Sequence, residues 1–449
     1  MLSSSYPFLA SYLRCLFLEP PVSHRNNLVY FPHSHIIYLV EFLDPNFDEL
    51  ISKSVKKLKA SEIRELLKLV KKSKDIISFA GGIPDPRYFP RKELIEIAKR
   101  VIEEMGDYSL QYSETQGVYE VREAIAKLME KIRGIKADPD DIIVTTGSQQ
   151  ALDMIARTFI EWGDKVITES PSYLAALGAF KLMGADVIGV KIDENGMRTI
   201  MLEDIVRSLI RADKKPKFIY TIPVAHNPGG VTMSIDRKKH LLEIASQYDL
   251  IVIEDDPYAA FVFDESVDVT PLKALDKEGR VIYISTLSKI LAPGIRLGWI
   301  VPPKELVRKL ELLKQYMDLH SPTLNQYMFA EAVNSGLVYK HIQKLKQVYK
   351  EKRDAMISAM DDYFPEYTWY SRPIGGFFVF VYVFKKGFDA KKALNIALSK
   401  YKVAYVPGQG FHPDGSGANS MRLSYSYPDT ETIKEGIRRL SEMIKNYPE

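Results

Sequence analysis

Residues 281–300 read VIYISTLSKILAPGIRLGWI. A β-branched run ends among the hydroxyls of Ser285, Thr286 and Ser288, Lys289 follows directly, and Arg296 comes seven residues later. A lysine at the desolvated end of a strand has its charged form disfavoured, which frees the amine for Schiff-base chemistry. The hydroxyls and the guanidinium together suit a phosphate, with arginine able to pair in bidentate fashion. A surface lysine and arginine at an ordinary helix start would leave the hydroxyl cluster and the Ala-Pro-Gly turn unexplained.

On either side of this stretch the same strand type recurs. DIIVTT, KVITES, DVIGV, KFIYTIP, LIVIEDD, VIYIST and LGWIV alternate with helical stretches between about residues 140 and 301. Continuous Val/Ile runs, rather than strict alternation, mark strands buried on both faces and hence a largely parallel α/β sheet. Helices are expected to begin near Ser148, Ser172, Ser234 and Lys304. From about Tyr327 the pattern changes to a long helix, then GGFFVFVYV, a short helix, VAYVP, MRLSYS and a terminal helix, an α+β arrangement typical of a second, smaller domain.

Composition sets the frame. The chain has 449 residues, 27% charged and 46% hydrophobic, which is ordinary for globular domains. Lys and Arg total 61 against 58 Asp and Glu, so no excess charge points to nucleic acid or an anionic membrane. Cys15, the single cysteine, fits a reducing compartment, and no apolar run reaches the ~20 residues that span a bilayer. A cytoplasmic protein with neither nucleic-acid nor membrane partners is expected.

Residues 1–46 differ from the rest. They contain no lysine, several aromatic clusters and three of the eight histidines, whereas eight lysines fall between Lys53 and Lys74. They are expected to be a loosely ordered extension, or to lie upstream of the true start. No regular ligand spacing joins His24, His33 and His35, so no metal is expected. From Phe47 to Lys74, Leu50, Val55, Leu58, Ile63, Leu66, Leu67 and Val70 have helical spacing with lysines opposite, a solvated helix face.

GxGxxG, GxxxxGK[ST] and GxSxG are all missing, which removes the main support for dinucleotide, P-loop and serine-hydrolase readings. Two other strand ends carry unusual polar residues. In TTGSQQALD a glycine turns the chain and Ser148, Gln149 and Gln150 open a helix, an anion site by virtue of free N–H groups, although a serine also caps helices routinely. In IVIEDDPYAAF three acids follow a buried strand, and Asp255 and Tyr258 bring a carboxylate and a phenol to its end. A buried carboxylate needs a cation, while acids in this position also cap turns.

With those residues in place, the chain resembles the fold-type I aminotransferases of class I/II, in particular the branch with kynurenine, 2-aminoadipate and archaeal aromatic aminotransferases. The resemblance covers about residues 47–449. It implies an α/β fold, a large domain with a mainly parallel seven-stranded sheet plus a small α+β domain. Residues 47–100 would contribute to the small domain, 101–326 would form the large one and 327–449 would complete the small one. It implies pyridoxal 5'-phosphate as cofactor, linked to Lys289, with Asp255 on the pyridine nitrogen. Asn227 in HNPGG and Tyr258 would bond the ring 3-oxygen, and Tyr173 in ESPSYL would stack on the ring. Ser148, Gln149, Thr286, Ser288 and Arg296 would hold the phosphate. Tyr112 in LQYSETQG would reach the neighbouring subunit's phosphate, which implies a homodimer with shared active sites. Arg422 in MRLSYS would bind the substrate carboxylate, and Gly81 and Gly82 in FAGGIPDP would close over substrate. The family's usual NPTG is Asn227-Pro228-Gly229-Gly230 here, and Thr286 stands where serine is commoner.

The activity so implied is transfer of an amino group from an aromatic, kynurenine-like or 2-aminoadipate-like amino acid to 2-oxoglutarate by a ping-pong mechanism. A pyridoxal-phosphate-dependent lyase would keep nearly the same residues. A transcription regulator with an aminotransferase-like domain would need a DNA-binding segment first, and the first 45 residues hold only Arg14 and Arg25 as cations.

Overall fold

The computed structural model describes the backbone of residues 24–29 and 38–43, residues 46–56, 66, 70 and 73, and residues 75–448. The chain divides into two compact units, Met1–Leu58 and Lys59–Glu449. In the first, β1 (His24–Val29) and β2 (Tyr38–Leu43) pair antiparallel, and single helical turns follow at Phe47–Leu50 and Lys53–Lys56. The break between those turns falls where Ile51 adopts an extended backbone. His33 and His35 lie outside the described residues.

In the larger unit, β3 (Ile77–Ser78) precedes a central sheet of β4 (Ile143–Thr145), β5 (Lys165–Ser170), β6 (Asp186–Asp193), β7 (Gly196–Met197), β8 (Phe218–Thr221), β9 (Ile251–Asp255), β10 (Val281–Thr286) and β11 (Gly298–Val301). Their spatial order is β4-β11-β10-β9-β8-β5-β6-β7. All seven strands expected from the apolar runs are present. Their neighbours from β10 through β9, β8 and β5 to β6 are parallel. The mainly parallel sheet agrees with expectation, and two of its details could not be read from the runs. β11 runs antiparallel to β10, because the short connection between them, residues 287–297, carries no crossover helix to return the chain. The sheet has an eighth strand, β7, which folds back on the end of β6 as a two-residue edge too short to show a period in sequence.

β8, β10 and β11 are buried along their whole length, as their unbroken apolar runs require. The carboxyl ends of β8, β9 and β10, with the amino end of the antiparallel β11, therefore open into one crevice, the place where parallel sheets bind ligands.

The helix expected from about Tyr327 is two helices, Thr323–Asn334 and Leu337–Tyr363. Gly336, in a left-handed conformation (φ 78°), breaks them apart. Beyond them, β12 (Thr368–Tyr370), β13 (Phe378–Val383), β15 (Val406–Pro407) and β16 (Ser420–Ser424) form an antiparallel sheet in the order β12-β13-β16-β15. β14 (Val403–Ala404) pairs parallel with β3. Leu66 is buried with Phe380, Ala404, Val406 and Phe411.

This pairing clamps residues 79–88 across the crevice. Phe79 N–H donates to Ala404 O at 2.8 Å, Ser424 N–H to Phe79 O at 2.9 Å, and Ser426 Oγ to Ile83 O at 2.8 Å. At the far end Asp85, buried, meets Lys352 Nζ at 2.9 Å and Arg87 Nη2 at 2.6 Å. Lys352 Nζ also donates to Ser426 O at 2.9 Å. Removing one partner of a buried ion pair costs about 3–5 kcal/mol, more than most single apolar contacts. Lys352→Met should therefore lower stability by about 3 kcal/mol, near the bottom of that range because Arg87 remains on Asp85. Denaturant unfolding of wild type and variant measures this.

Candidate active site

Each strand end contributes one chemical group to the crevice. Asp255 is the last residue of β9, in register with Ile284 of β10, and is buried. Of the three acids in sequence, the flanking two are used elsewhere. Glu254 accepts from Leu272 N–H and Lys273 N–H at 2.9 and 2.8 Å, capping the turn Leu272–Leu275, and Asp256 pairs with Arg133 Nε at 2.6 Å. Alternation along the strand sends Asp255 to the other side from its neighbours. Tyr220 Oη donates to Asp255 Oδ2 at 2.8 Å, while Oδ1 is buried with no hydrogen-bond partner. Burial, reinforced by Asp256 and Glu169 and opposed by the Tyr220 bond and Lys289, pushes the carboxyl up to about 7. A cationic N–H donor at Oδ1 would offset that cost.

Lys289 lies three residues beyond β10, in a turn held by Leu287 N–H on Leu297 O at 3.0 Å and Leu291 N–H on Leu287 O at 3.0 Å. Its Nζ donates to Gly82 O at 3.2 Å and lies 6.0 Å from the Tyr258 ring. Burial lowers its pKa to about 8, helped by the Arg422 and Arg296 cations and opposed by Asp255.

Arg422, on β16, arrives from the second sheet. It is 3% exposed, with its guanidinium 4.3 Å from the Phe378 ring and 5.1 Å from that of Phe411. Nη1 donates to Asn227 Oδ1 at 2.9 Å, and Nη2 donates to Ala80 O at 3.2 Å and Gly81 O at 2.7 Å. Nε is buried without a partner. Desolvation lowers its pKa to about 10, yet it stays charged at neutral pH. Both forked edges of a guanidinium include the same Nη2, whose two protons here point at main-chain carbonyls. A bidentate carboxylate thus has to take over one bond from the 80–81 segment.

Tyr258 is buried beside this group, and desolvation raises its pKa well above the usual phenol value, with hydrogen bonding to Asn227 opposing. Gly82 has φ 120°, and a Cβ there would lie 2.7 Å from the Phe378 ring, so only glycine brings its carbonyl to Lys289 without displacing that ring.

Below Lys289, Ser148 opens the helix Ser148–Phe159. Arg296 lies across its start, Nη1 3.4 Å from Ser288 Oγ and Nη2 3.2 Å from Thr146 O. A Cβ on Gly147 would lie 2.5 Å from Arg296 Nη2. Helix N–H groups and an arginine converging in this way form an anion cradle. Gln149 is exposed at its rim. Thr286 is buried within the turn itself, its hydroxyl 3.0 Å from both Ser288 Oγ and Leu297 O. Tyr173 precedes the helix Leu174–Leu182, near enough to act on the proton affinities of Tyr258 and Arg422. Tyr112 stands apart from this group, exposed and edge-on to His320 at 5.6 Å.

Four contributors were missed in the sequence reading: Tyr220, Phe378, Phe411 and Glu169. Tyr220 carried a signal, since a phenol inside a fully buried strand needs a polar partner. The others depend on contacts between distant segments.

A molecule with a phosphate, an aromatic ring bearing a protonated nitrogen and a carbonyl reactive toward amines would complement the cradle, the orphaned Asp255 Oδ1 and the Lys289 amine. Those are the features of pyridoxal 5'-phosphate, and the site is that of an enzyme using this cofactor on amino acids. The chain belongs to the class I and II aminotransferases, a family whose profile matches residues 74–440. It is 45% identical over 400 residues to an aromatic-amino-acid aminotransferase of Thermococcus litoralis, covering 89% of this chain and 95% of the relative. It is 38% identical over 403 residues to a 2-aminoadipate transaminase of Thermus thermophilus, with coverage of 89% and 98%. The crystal structure of the Pyrococcus horikoshii kynurenine aminotransferase superposes with TM-score 0.86 at 44% identity, covering 90% of this chain and 99% of that one. The protein is a pyridoxal-phosphate-dependent transaminase.

The lowered Lys289 pKa has a direct consequence. In cofactor-free protein the rate of pyridoxal phosphate uptake should rise with pH through about 8 and level off above it, whereas an amine at 10.5 would keep climbing. Arg422→Gln, which removes a lowering charge, should move that midpoint upward. Stopped-flow absorbance across the pH range checks both.

Proposed function

We propose that this aminotransferase takes the amino group of an aromatic, kynurenine-like or 2-aminoadipate-like amino acid and passes it to 2-oxoglutarate by a ping-pong mechanism. The observation that carries the reading is the buried Arg422, with an unpartnered Nε, held between two phenylalanines and bonded to Asn227. The names of the relatives support the substrate class, and so does the aromatic wall of Phe378 and Phe411.

Pyridoxal phosphate, when bound, supplies the electron sink for the charge that develops at the substrate Cα. Asp255 keeps the ring nitrogen protonated through its Oδ1. Asn227 and Tyr258 hold the ring 3-oxygen, and Tyr173 supports the ring face. Arg296, Ser148, Ser288 and Gln149 form the phosphate cradle, with Thr286 bracing the turn beneath them. Arg422 fixes the α-carboxylate, which sets the Cα–H bond upright to the ring and favours proton removal over loss of carbon dioxide. Lys289, whose amine burial brings down to about 8, would accept the proton from the substrate Cα and hold it for return across the substrate nitrogen. Backbone carbonyls of residues 80–82 move off the two cations as substrate enters and shield the site from water.

Incubation of the holoenzyme with phenylalanine, kynurenine, 2-aminoadipate or glutamate alone should release one equivalent of 2-oxo acid per site, and adding 2-oxoglutarate should restore turnover. Release of carbon dioxide instead would establish a lyase. Lys289→Ala should slow transfer by at least about 10²–10⁴-fold. Arg422→Lys should raise KM about tenfold or more, the loss of one charge-assisted hydrogen bond.

We further propose a homodimer in which Tyr112 serves the second site. Tyr108, Leu110 and Tyr112 are all exposed, 77% in the case of Tyr112, and offer an apolar surface to a second copy. Sedimentation should show a dimer, and Tyr112→Phe should weaken cofactor retention while leaving the dimer intact.

A further inference from the structure

One buried pair behind the site touches neither Lys289 nor Arg422, and one member, Glu169, has entered so far only through its charge on Asp255. Glu169, on β5, is 1% exposed. Its Oε1 accepts the Thr221 hydroxyl, and Oε2 accepts Ile222 N–H at 3.2 Å. His226 Nε2 lies 3.3 Å from the same Oε2, within ion-pair distance but outside hydrogen-bond geometry, so this buried nitrogen has no hydrogen-bond partner. The carboxylate thus gathers donors from β8 and from the loop that follows it.

His226, equally buried, accepts Gly229 N–H on Nδ1 at 3.0 Å. A ring nitrogen that accepts carries no proton, so the neutral imidazole bears its proton on Nε2, the nitrogen that faces Glu169. The main chain of His226 closes the same turn, donating to Val231 O at 2.8 Å and accepting from Gly230 N–H at 2.7 Å. A Cβ on Gly229 would lie 2.8 Å from Nδ1, so the missing side chain at Gly229 is what admits the ring so close. Asn227 is the residue this turn presents, and its Oδ1 receives Arg422 Nη1.

We propose that Glu169 and His226 are positioning residues for the amino-acid carboxylate: Glu169 faces the imidazole Nε2 and holds its tilt by charge, the imidazole sets the 226–230 turn, and the turn holds Asn227 against Arg422. The inference rests on Arg422 as the carboxylate-binding group. Both residues act through Asn227. The family's threonine after Asn-Pro is absent here, and the Gly229 amide bonds a side chain of the turn itself.

The test uses holoenzyme and 3-phenylpropionate, a carboxylate without an amino group that binds but does not react. His226→Asn keeps an acceptor near the Nδ1 position and removes the arm to Glu169, and Glu169→Gln keeps the shape and removes the charge. Each should weaken 3-phenylpropionate about tenfold, and the double variant should be no weaker than the worse single one, because residues acting as one unit are non-additive. The KM for the amino donor should rise by more than kcat falls. Additive losses, or wild-type affinity in His226→Asn, would overturn the proposal. Arg422→Lys separates the two levels of inference. If it binds 3-phenylpropionate as wild type does, the carboxylate site itself is misassigned; if it alone weakens binding, only the positioning pair is wrong. Should Glu169→Gln not fold, His226→Asn decides by itself: a tenfold loss supports the pair and no loss refutes it.

Discussion

The site depends on ionisable groups kept in a place where water is scarce. Asp255, Lys289 and Arg422 are all driven toward their neutral forms by desolvation, and none is satisfied by an ion pair with another. Such an arrangement persists only if the surrounding fold is stable enough to carry it, because burying an uncompensated charge costs several kcal/mol. The double-faced burial of β8, β10 and β11 provides that reserve. It also explains why Asp255 and Lys289 sit at or just beyond strand ends, where side chains can point into a crevice without breaking the ladder, while Arg422 reaches in from the middle of β16.

The same low dielectric gives the site its chemistry. A lysine whose amine is half neutral at about 8 is a nucleophile and a base near physiological pH, and a carboxyl pushed up to about 7 awaits a cationic partner. The two cations of the amino-acid site are steadied by backbone carbonyls of residues 80–82 rather than by carboxylates. Carbonyl dipoles hold a guanidinium or ammonium less tightly than a charge would, so an anion can displace them. Residues 79–88 can make that exchange without drifting, since Phe79 and Asp85 anchor both ends.

Much of this was legible in the chain. All seven apolar runs became strands, the helices opened at or within two residues of the expected serines and lysine, and Lys289, Asp255, Asn227, Tyr258 and Arg422 came together. For the strands a local pattern has one physical outcome, since a β-branched run pairs in a sheet; Asn227 and Arg422 were placed by the family resemblance. The misses have an equally plain cause. β7 is two residues long and has no periodicity. The direction of β11 is a matter of connection length rather than of its own composition. Gly336 divides a helix whose apolar spacing reads as continuous, because the pattern persists across a left-handed residue that local sequence does not reveal.

The sequence by itself determined the sheet, its buried character and a cluster of hydroxyls and an arginine beside Lys289 that suits a phosphate. Those properties follow from short-range rules of strand burial, helix termini and side-chain chemistry. Only the tertiary structure decided that Asp255 keeps one oxygen unpartnered while Tyr220 takes the other. It alone decided that Phe378 and Phe411 flank Arg422, and that Glu169 reaches His226 across 57 positions of chain. Each of these is a contact between segments remote in sequence, and its energy depends on distance and direction in space, which residue order does not encode locally.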